Sequence, residues 1–132
     1  MRLLETQIPT ETYLRLRAVS GLSAKTDEAA TIGLANSVYS VMVEADSEII
    51  GMGRIIGDGG CFCQIVDICV SPEHQGKGVG KAIMRQLVNF IHSHLPRSCY
   101  VSLIADGDAK RLYAQFGFVE TLPGGAGMFL KV

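Results

Sequence analysis

Polar and apolar positions change period several times along the chain. Met84, Leu87, Val88, Ile91 and Leu95 recur at three- and four-residue spacing, which predicts a helix with one buried face from Gly78 to Leu95, stopped by Pro96. "VYSVMVEA" and "EIIGMGRIIG" flank Asp46–Ser47 and read as two strands joined by a short turn. "GDGG" turns the chain into a third run, "FCQIVDICV". Upstream, "MRLLETQI" reads as a first strand. Pro9 and Thr10 then open a helix, "TETYLRLRAVSG", closed by Gly21, and a second helix, "SAKTDEAATIGLANS", starts with Ser23 as N-cap. Downstream come a buried strand "CYVSLIA", a short helix "DAKRLYAQFG" ended by Gly117, and two final strands, "FVETL" and "GMFLKV". Antiparallel strands followed by strand–helix–strand predict an α/β fold with a mixed sheet. The crossover from Gln64–Val70 to Cys99–Ala105 is expected to be parallel and right-handed.

Composition narrows the classes. A chain of 132 residues, 48% hydrophobic and 19% charged, is expected to form one domain, 1–132, with a real core. Twelve basic against 13 acidic side chains leave a net charge of −1, so nothing draws the whole surface to nucleic acid or anionic lipid. "MRLLETQIPTETY" lacks an apolar run long enough for a signal peptide, and no later run is long enough to span a bilayer. Cys61, Cys63, Cys69 and Cys99 form no C-x-x-C pair, and "CFC" reads as the outward-facing end of a strand. A reduced, cytoplasmic protein without a metal site is the expectation.

The chemistry concentrates in "SPEHQGKGVGKAIM". Three glycines at alternate positions, Gly76, Gly78 and Gly80, lead into the amphipathic helix with Lys77 and Lys81 beside them. A helix N-terminus presents free N–H groups and partial positive charge, and glycines let an anion approach the backbone. The same letters also suit a flexible turn with solvated lysines. A nucleotide-triphosphate loop requires Gly where Gln75 stands and Ser or Thr where Ala82 stands. The dinucleotide fingerprint requires glycine in place of Lys81.

"QGKGVG" matches in full the acyl-CoA loop of the GNAT acetyltransferase superfamily: Gln or Arg, two residues, Gly, one residue, then Gly or Ala. The likeness extends upstream through "IVDICVSPEHQGKGVGKAIM". Downstream, "LIADGDAKRLYAQFGF" resembles the family's A-x-x-L-Y-x-x-x-G-F segment, with Ala109, Tyr113, Gly117 and Phe118 in place. The resemblance covers about the second half of the chain. It implies a central sheet of six to seven strands flanked by about four helices, binding acetyl-CoA as acyl donor without a metal.

Carried onto this sequence, the resemblance implies that main-chain N–H groups of Gln75, Gly76, Lys77, Gly78, Val79, Gly80 and Lys81 hold the pyrophosphate. It implies a bulge in the preceding strand, which splays from its parallel neighbour so that pantetheine pairs with Ile68, Cys69 and Val70. Tyr113 becomes the general acid for the leaving thiolate, the alternative being a packing residue. Asp67, a carboxylate in an apolar strand, reads equally as general base or as a structural partner of Arg54 or the backbone. Asp106 stands where the family commonly has asparagine and is included as a cofactor contact, with Lys110 one turn on. His74, His92 and His94 read as surface residues. For the acceptor, Asn36, Tyr39 and Arg54 are named first, with Tyr13, Arg17 and Asp58 also able to line the site. The expected reaction is acetyl transfer to a primary amine by direct attack in a ternary complex. The acceptor is expected to be a small molecule, with no nucleic acid or membrane partner and a homodimer left open. A protein or peptide N-acetyltransferase, or a non-catalytic acyl-CoA sensor, are the alternatives.

Overall fold

Strand pairing follows the alternation of side chains in a computed structural model that describes residues 1–132. The elements run β1 (Arg2–Leu4), α1 (Thr10–Val19), α2 (Asp27–Ala35), β2 (Tyr39–Ala45), β3 (Glu48–Gly57), β4 (Phe62–Val70), α3 (Val79–His94), β5 (Tyr100–Leu103) and α4 (Lys110–Ala114). They build one sheet in the order β1-β2-β3-β4-β5, antiparallel except for the β4–β5 pair, which is parallel. The sheet is therefore mixed, as the element pattern predicts.

Alternation along β2 sends Val41 and Val43 to one face and Met42 to the other, and each face is covered by helices. On one side α3 buries Ile83, Met84 and Leu87 against Val41, Val43, Ile55 and Ile65. On the other, Tyr13 and Leu16 of α1 and Ala30 and Leu34 of α2 pack on Met42, Met52 and Cys69. Gly53 lets α3 lie directly on β3: a Cβ there would come 2.7 Å from Ile83 Cγ2. The helix begins with Gly78 as N-cap and ends with Leu95 as C-cap, as its periodicity predicts.

Several expectations fail, each for a physical reason. Neither "FVETL" nor "GMFLKV" forms a strand, so the sheet has five strands and β5 is its edge. Both segments have β propensity, but a strand exists only through a partner, and here none is supplied. The first strand shrinks to Arg2–Leu4, while Ile8 turns into the core. The second helix is capped by Thr26, whose side chain accepts from Ala29 N–H, and not by Ser23. Cys63 is buried in the α3-side core, so the "CFC" run exposes Phe62 and Cys61 rather than both cysteines.

Candidate active site

Sequence and pairing together open a cleft in the middle of β4. The strand pairs with β5 only from Phe62 to Ile65, opposite Tyr100 to Leu103. Beyond that point its β5-side edge has no strand partner. On the β3 side the register slips between Met52↔Cys69 and Arg54↔Val66, so Asp67 and Ile68 together face Gly53. Asp67 sits at φ +63°, a left-handed value rare for a non-glycine residue. This is the bulge and splay that the resemblance implies. The resulting cleft, about 490 Å³, is walled by Gln64–Ile68, Leu103, Ile104, Asp106, Ala109 and Tyr113, and closed by Arg17 and Gly21–Ser23.

The glycine loop follows directly. Gly76 (φ +75°) and Gly78 (φ +82°) take left-handed conformations around Lys77, which turns successive N–H groups toward one side. A Cβ at either position would meet nothing within 4 Å, so that side of the loop is open space. No side chain caps the helix, and the first N–H bonded within it is that of Ala82, to Gly78 C=O. The N–H groups of Gly76 to Lys81 make no backbone hydrogen bond, whereas that of Gln75, expected among the diphosphate donors, is already taken by Pro72 C=O at 3.3 Å. Lys77 and Lys81 are exposed beside them, while Val79 turns its side chain into the core. Gln75 donates from Nε2 to Val70 C=O at 2.9 Å, so its side chain ties the loop to the end of β4. The fit to a diphosphate is therefore one of main chain and charge.

Tyr113 projects from α4 into the cleft, half-buried. Burial, and then the nearby Asp106 carboxylate, raise its pKa above the ordinary phenol value, so the hydroxyl stays protonated. Asp106 is exposed on the same wall, and Lys110 pairs with Glu120 at 3.7 Å on the surface. Cys69 is buried, and burial pushes its thiol up to about 11, so it carries no thiolate near neutral pH.

Asp67 is surrounded. Its Oδ1 accepts from Arg17 at 2.5 Å and from the Tyr13 hydroxyl at 2.9 Å, and its Oδ2 from Arg54 at 2.8 Å. All three charged side chains are less than a tenth exposed. Both guanidiniums lie about 5.5 Å from the Tyr13 ring, at cation–π distance. Arg17 also donates to Ser23 C=O and Oγ, and Arg54 to Gly33 C=O and Ser37 Oγ. The cluster thus ties β3 and β4 to α1, α2 and the segment between them. Desolvation, and then Asp67, raise the Tyr13 pKa, which keeps that hydroxyl a donor. Ser23 and Ser37 are members that the sequence reading missed. Nothing in their local pattern marks them, because each meets its arginine, Arg17 or Arg54, only where the chain folds back around Asp67.

The three acceptor candidates are not brought together. Arg54 is committed to Asp67 on the α1/α2 face. Tyr39 lies on the α3 face, stacked on Phe90 with 4.1 Å between ring centroids and bonded to Glu5 and Gln86. Asn36 is exposed at the end of α2 and donates to Ile32 C=O. Asp58 staples the β3–β4 turn through the N–H groups of Gly60 and Phe62, bonds that hold its carboxyl below the usual range. His74 bonds Ser71, and His92 and His94 are exposed on α3. No three His, Cys, Asp or Glu side chains converge as metal ligands, and no helix is long and apolar enough to cross a membrane.

Residues 9–126 match a family model described as an acetyltransferase (GNAT) domain. A crystal structure of a protein of unknown function from meticillin-resistant Staphylococcus aureus, a probable acetyltransferase, superposes with a TM-score of 0.93 at 43% identity, covering 99% of this chain and 98% of that one. A GNAT-family acetyltransferase from Streptococcus pneumoniae shares the fold, with a TM-score of 0.79 at 19% identity over 99% of this chain and 96% of that one. A chloroplastic GCN5-related N-acetyltransferase of Arabidopsis thaliana is 36% identical over 87 residues, 65% of this chain and 33% of that protein. An uncharacterized N-acetyltransferase of Pyropia yezoensis is 30% identical over 86 residues, 65% of this chain and 48% of that protein. The chain therefore spans half or less of the length of these two curated relatives.

Proposed function

This chain belongs to the GNAT acetyltransferase family, and from that premise we propose that it transfers an acetyl group from acetyl-CoA to the primary amine of a small molecule. The observation that carries the reading is the continuity of three features: a glycine loop with unpaired N–H groups, a bulged strand with an open edge, and a tyrosine hydroxyl in the cleft between them. The loop N–H groups and Lys77 and Lys81 bind the diphosphate. Main chain of Ile68, Cys69 and Val70 positions the pantetheine amides, although Val70 C=O already accepts from Gln75 and Ser20. Asp106 lies beside the same arm.

In the reaction the amine nitrogen forms a bond to the acetyl carbon, and the carbon–sulfur bond breaks. Tyr113, kept protonated, gives its proton to the departing sulfur. The main-chain N–H at the bulge stabilises the oxygen that gains charge. Of the two roles the sequence leaves for Asp67, the geometry favours the anchor. Its oxygens already hold two guanidiniums and a hydroxyl, so the amine's proton passes to water in the cleft. Tyr113 weighs against a sensor that only binds, since binding has no use for an acid there. The test is release of free CoA from acetyl-CoA with a panel of small amines, peptides and lysine-bearing proteins. Amine-dependent release supports the reading. Tight acetyl-CoA binding with no release across the panel would leave a sensor.

A further inference from the structure

Four residue pairs, Phe62–Ile65 with Tyr100–Leu103, are all that hold the edge strand β5 to β4. Three of the four cysteines gather at the closed end of this pair, away from the cleft: Cys61 and Cys63 at the start of β4, and Cys99 just ahead of β5. The ladder runs one residue beyond Phe62↔Tyr100, because Tyr100 N–H donates to Cys61 C=O at 2.8 Å. That register sets Cys61 opposite Cys99. The Phe62 and Tyr100 rings lie 6.2 Å apart on one face. By alternation their neighbours Cys61 and Cys99 share the other, where Cys99 packs on the α3-side core. Neighbouring strands are about 4.8 Å apart, inside the Cα separation of roughly 4.4–6.8 Å that a disulfide accepts.

We propose that Cys61 and Cys99 are a thiol modification site, forming a reversible disulfide by exchange with a low-molecular-weight disulfide and so pinning β5 to β4. Cys61 is exposed and takes the first step. Its thiolate attacks one sulfur of the reagent, the reagent's S–S bond breaks, and one thiolate leaves and takes a proton from water. Cys99 then gives its proton to water and attacks the Cys61 sulfur, expelling the second thiol. Two cysteines have lost two electrons and two protons, and the reagent has become two thiols. Cys99 suits the later step. It is half-buried, and desolvation, then Cys63, then Asp58 and Cys61 raise its pKa, so the solvent-facing Cys61 reacts first. Cys63 perturbs Cys99 more than Cys61 does, yet it is the poorer partner. It stands opposite Val101, its sulfur would lie 3.1 Å from a Cβ on Gly57 of β3, and it is only 3% exposed. Cα spacing, rather than thiol contact, decides which bridge closes without moving the backbone. The bridge encloses residues 61–99, the span that carries the bulge, the glycine loop and α3.

The proposal stands apart from acetyl transfer and is tested without it. The full chain is incubated with excess glutathione disulfide at mildly alkaline pH, its remaining thiols are alkylated in denaturant, and its intact mass is measured. Wild type should lose two of its four alkylation sites without retaining glutathione. Cys99→Ser should stop at the glutathione adduct on Cys61. Cys61→Ser should form no bridge, and Cys63→Ser should form it as wild type does. The bridged protein should melt roughly 5–15 °C higher and revert on reduction, because the crosslink restricts the unfolded chain. A wild type that keeps all four thiols open to alkylation, or that stops at a glutathione adduct, would overturn the proposal. So would a bridge that persists in Cys61→Ser, or one that leaves the melting temperature unchanged.

Discussion

The glycine loop and the Asp67 cluster are near neighbours along β4 and its exit, and they manage polar groups in opposite ways. Around Asp67 both carboxylate oxygens are bonded inside the protein, by two arginines and a tyrosine hydroxyl, and the arginines reach on to two serines and a helix-end carbonyl. At the loop, main-chain N–H groups stand open, and the glycines that expose them carry no side chain to fill the space. A satisfied cluster holds geometry, whereas an unsatisfied one waits for a ligand. Substitutions in the first should therefore cost stability, and substitutions in the second should cost binding.

The largest effect is expected at the loop. Gly78→Asp places a carboxylate where the diphosphate would lie and forces a side chain to φ +82°. Calorimetric titration should detect no acetyl-CoA binding. The fold should lose only about 1–2 kcal/mol, the cost of a left-handed L-residue. Unchanged affinity in a folded Gly78→Asp variant would remove the loop from the site. Next is Tyr113→Phe, which takes away one oxygen that makes no hydrogen bond to the protein. Acetyl-CoA affinity should hold while turnover falls by about 10²–10⁴-fold. Full turnover would return Tyr113 to packing.

Asp67→Asn tests the other side of the comparison. The amide keeps the shape but leaves Arg17 and Arg54 buried without their counter-charge, a loss of about 3–5 kcal/mol for a broken buried ion pair. Denaturant unfolding should show it, with the pH–rate profile per folded molecule unchanged. A stable Asp67→Asn protein that loses the acidic limb of that profile would restore the base.

How much of this was legible follows the same division. The α3 boundaries, the β2–β3 hairpin and the glycine loop could be read because each is local: a period, a turn, a run of adjacent letters. The bulge at Asp67 came only through the resemblance, since a register slip is a property of two strands. Ser23 and Ser37 could not be found, because their partners are Arg17 and Arg54 across a fold not yet formed. Tyr39 and Arg54 read alike as polar residues of the first half, yet Tyr39 pairs with Ile55 and Arg54 with Ser40, so the two lie on opposite faces of the sheet. The two final strands rest on propensity alone, and propensity does not supply a neighbour.

The smallest expected effect lies at Tyr39, the polar cluster on the α3 face. Its hydroxyl donates to Glu5 Oε1 at 2.6 Å, and Gln86 of α3 donates to both, joining the chain after β1 to the helix. Unlike the Asp67 cluster, this one is partly in water, so its contribution is screened. Desolvation first, and then the bond to Glu5, raise the Tyr39 pKa to about 12 from an ordinary value of 10.0. The folded state therefore keeps a proton that the unfolded state has released between those values. The stabilisation is fully present below the unfolded pKa and is lost as pH rises through the folded one. Tyr39→Phe has no such proton. The stability advantage of wild type over Tyr39→Phe should stay level through neutral pH and shrink between about pH 10 and 12, as thermal melts of the pair will show. An advantage that is flat across that window would mean that the Tyr39 hydroxyl is neither withdrawn from water nor held against Glu5 in solution, and the satisfied character of this cluster would then belong to Asp67 and its partners alone.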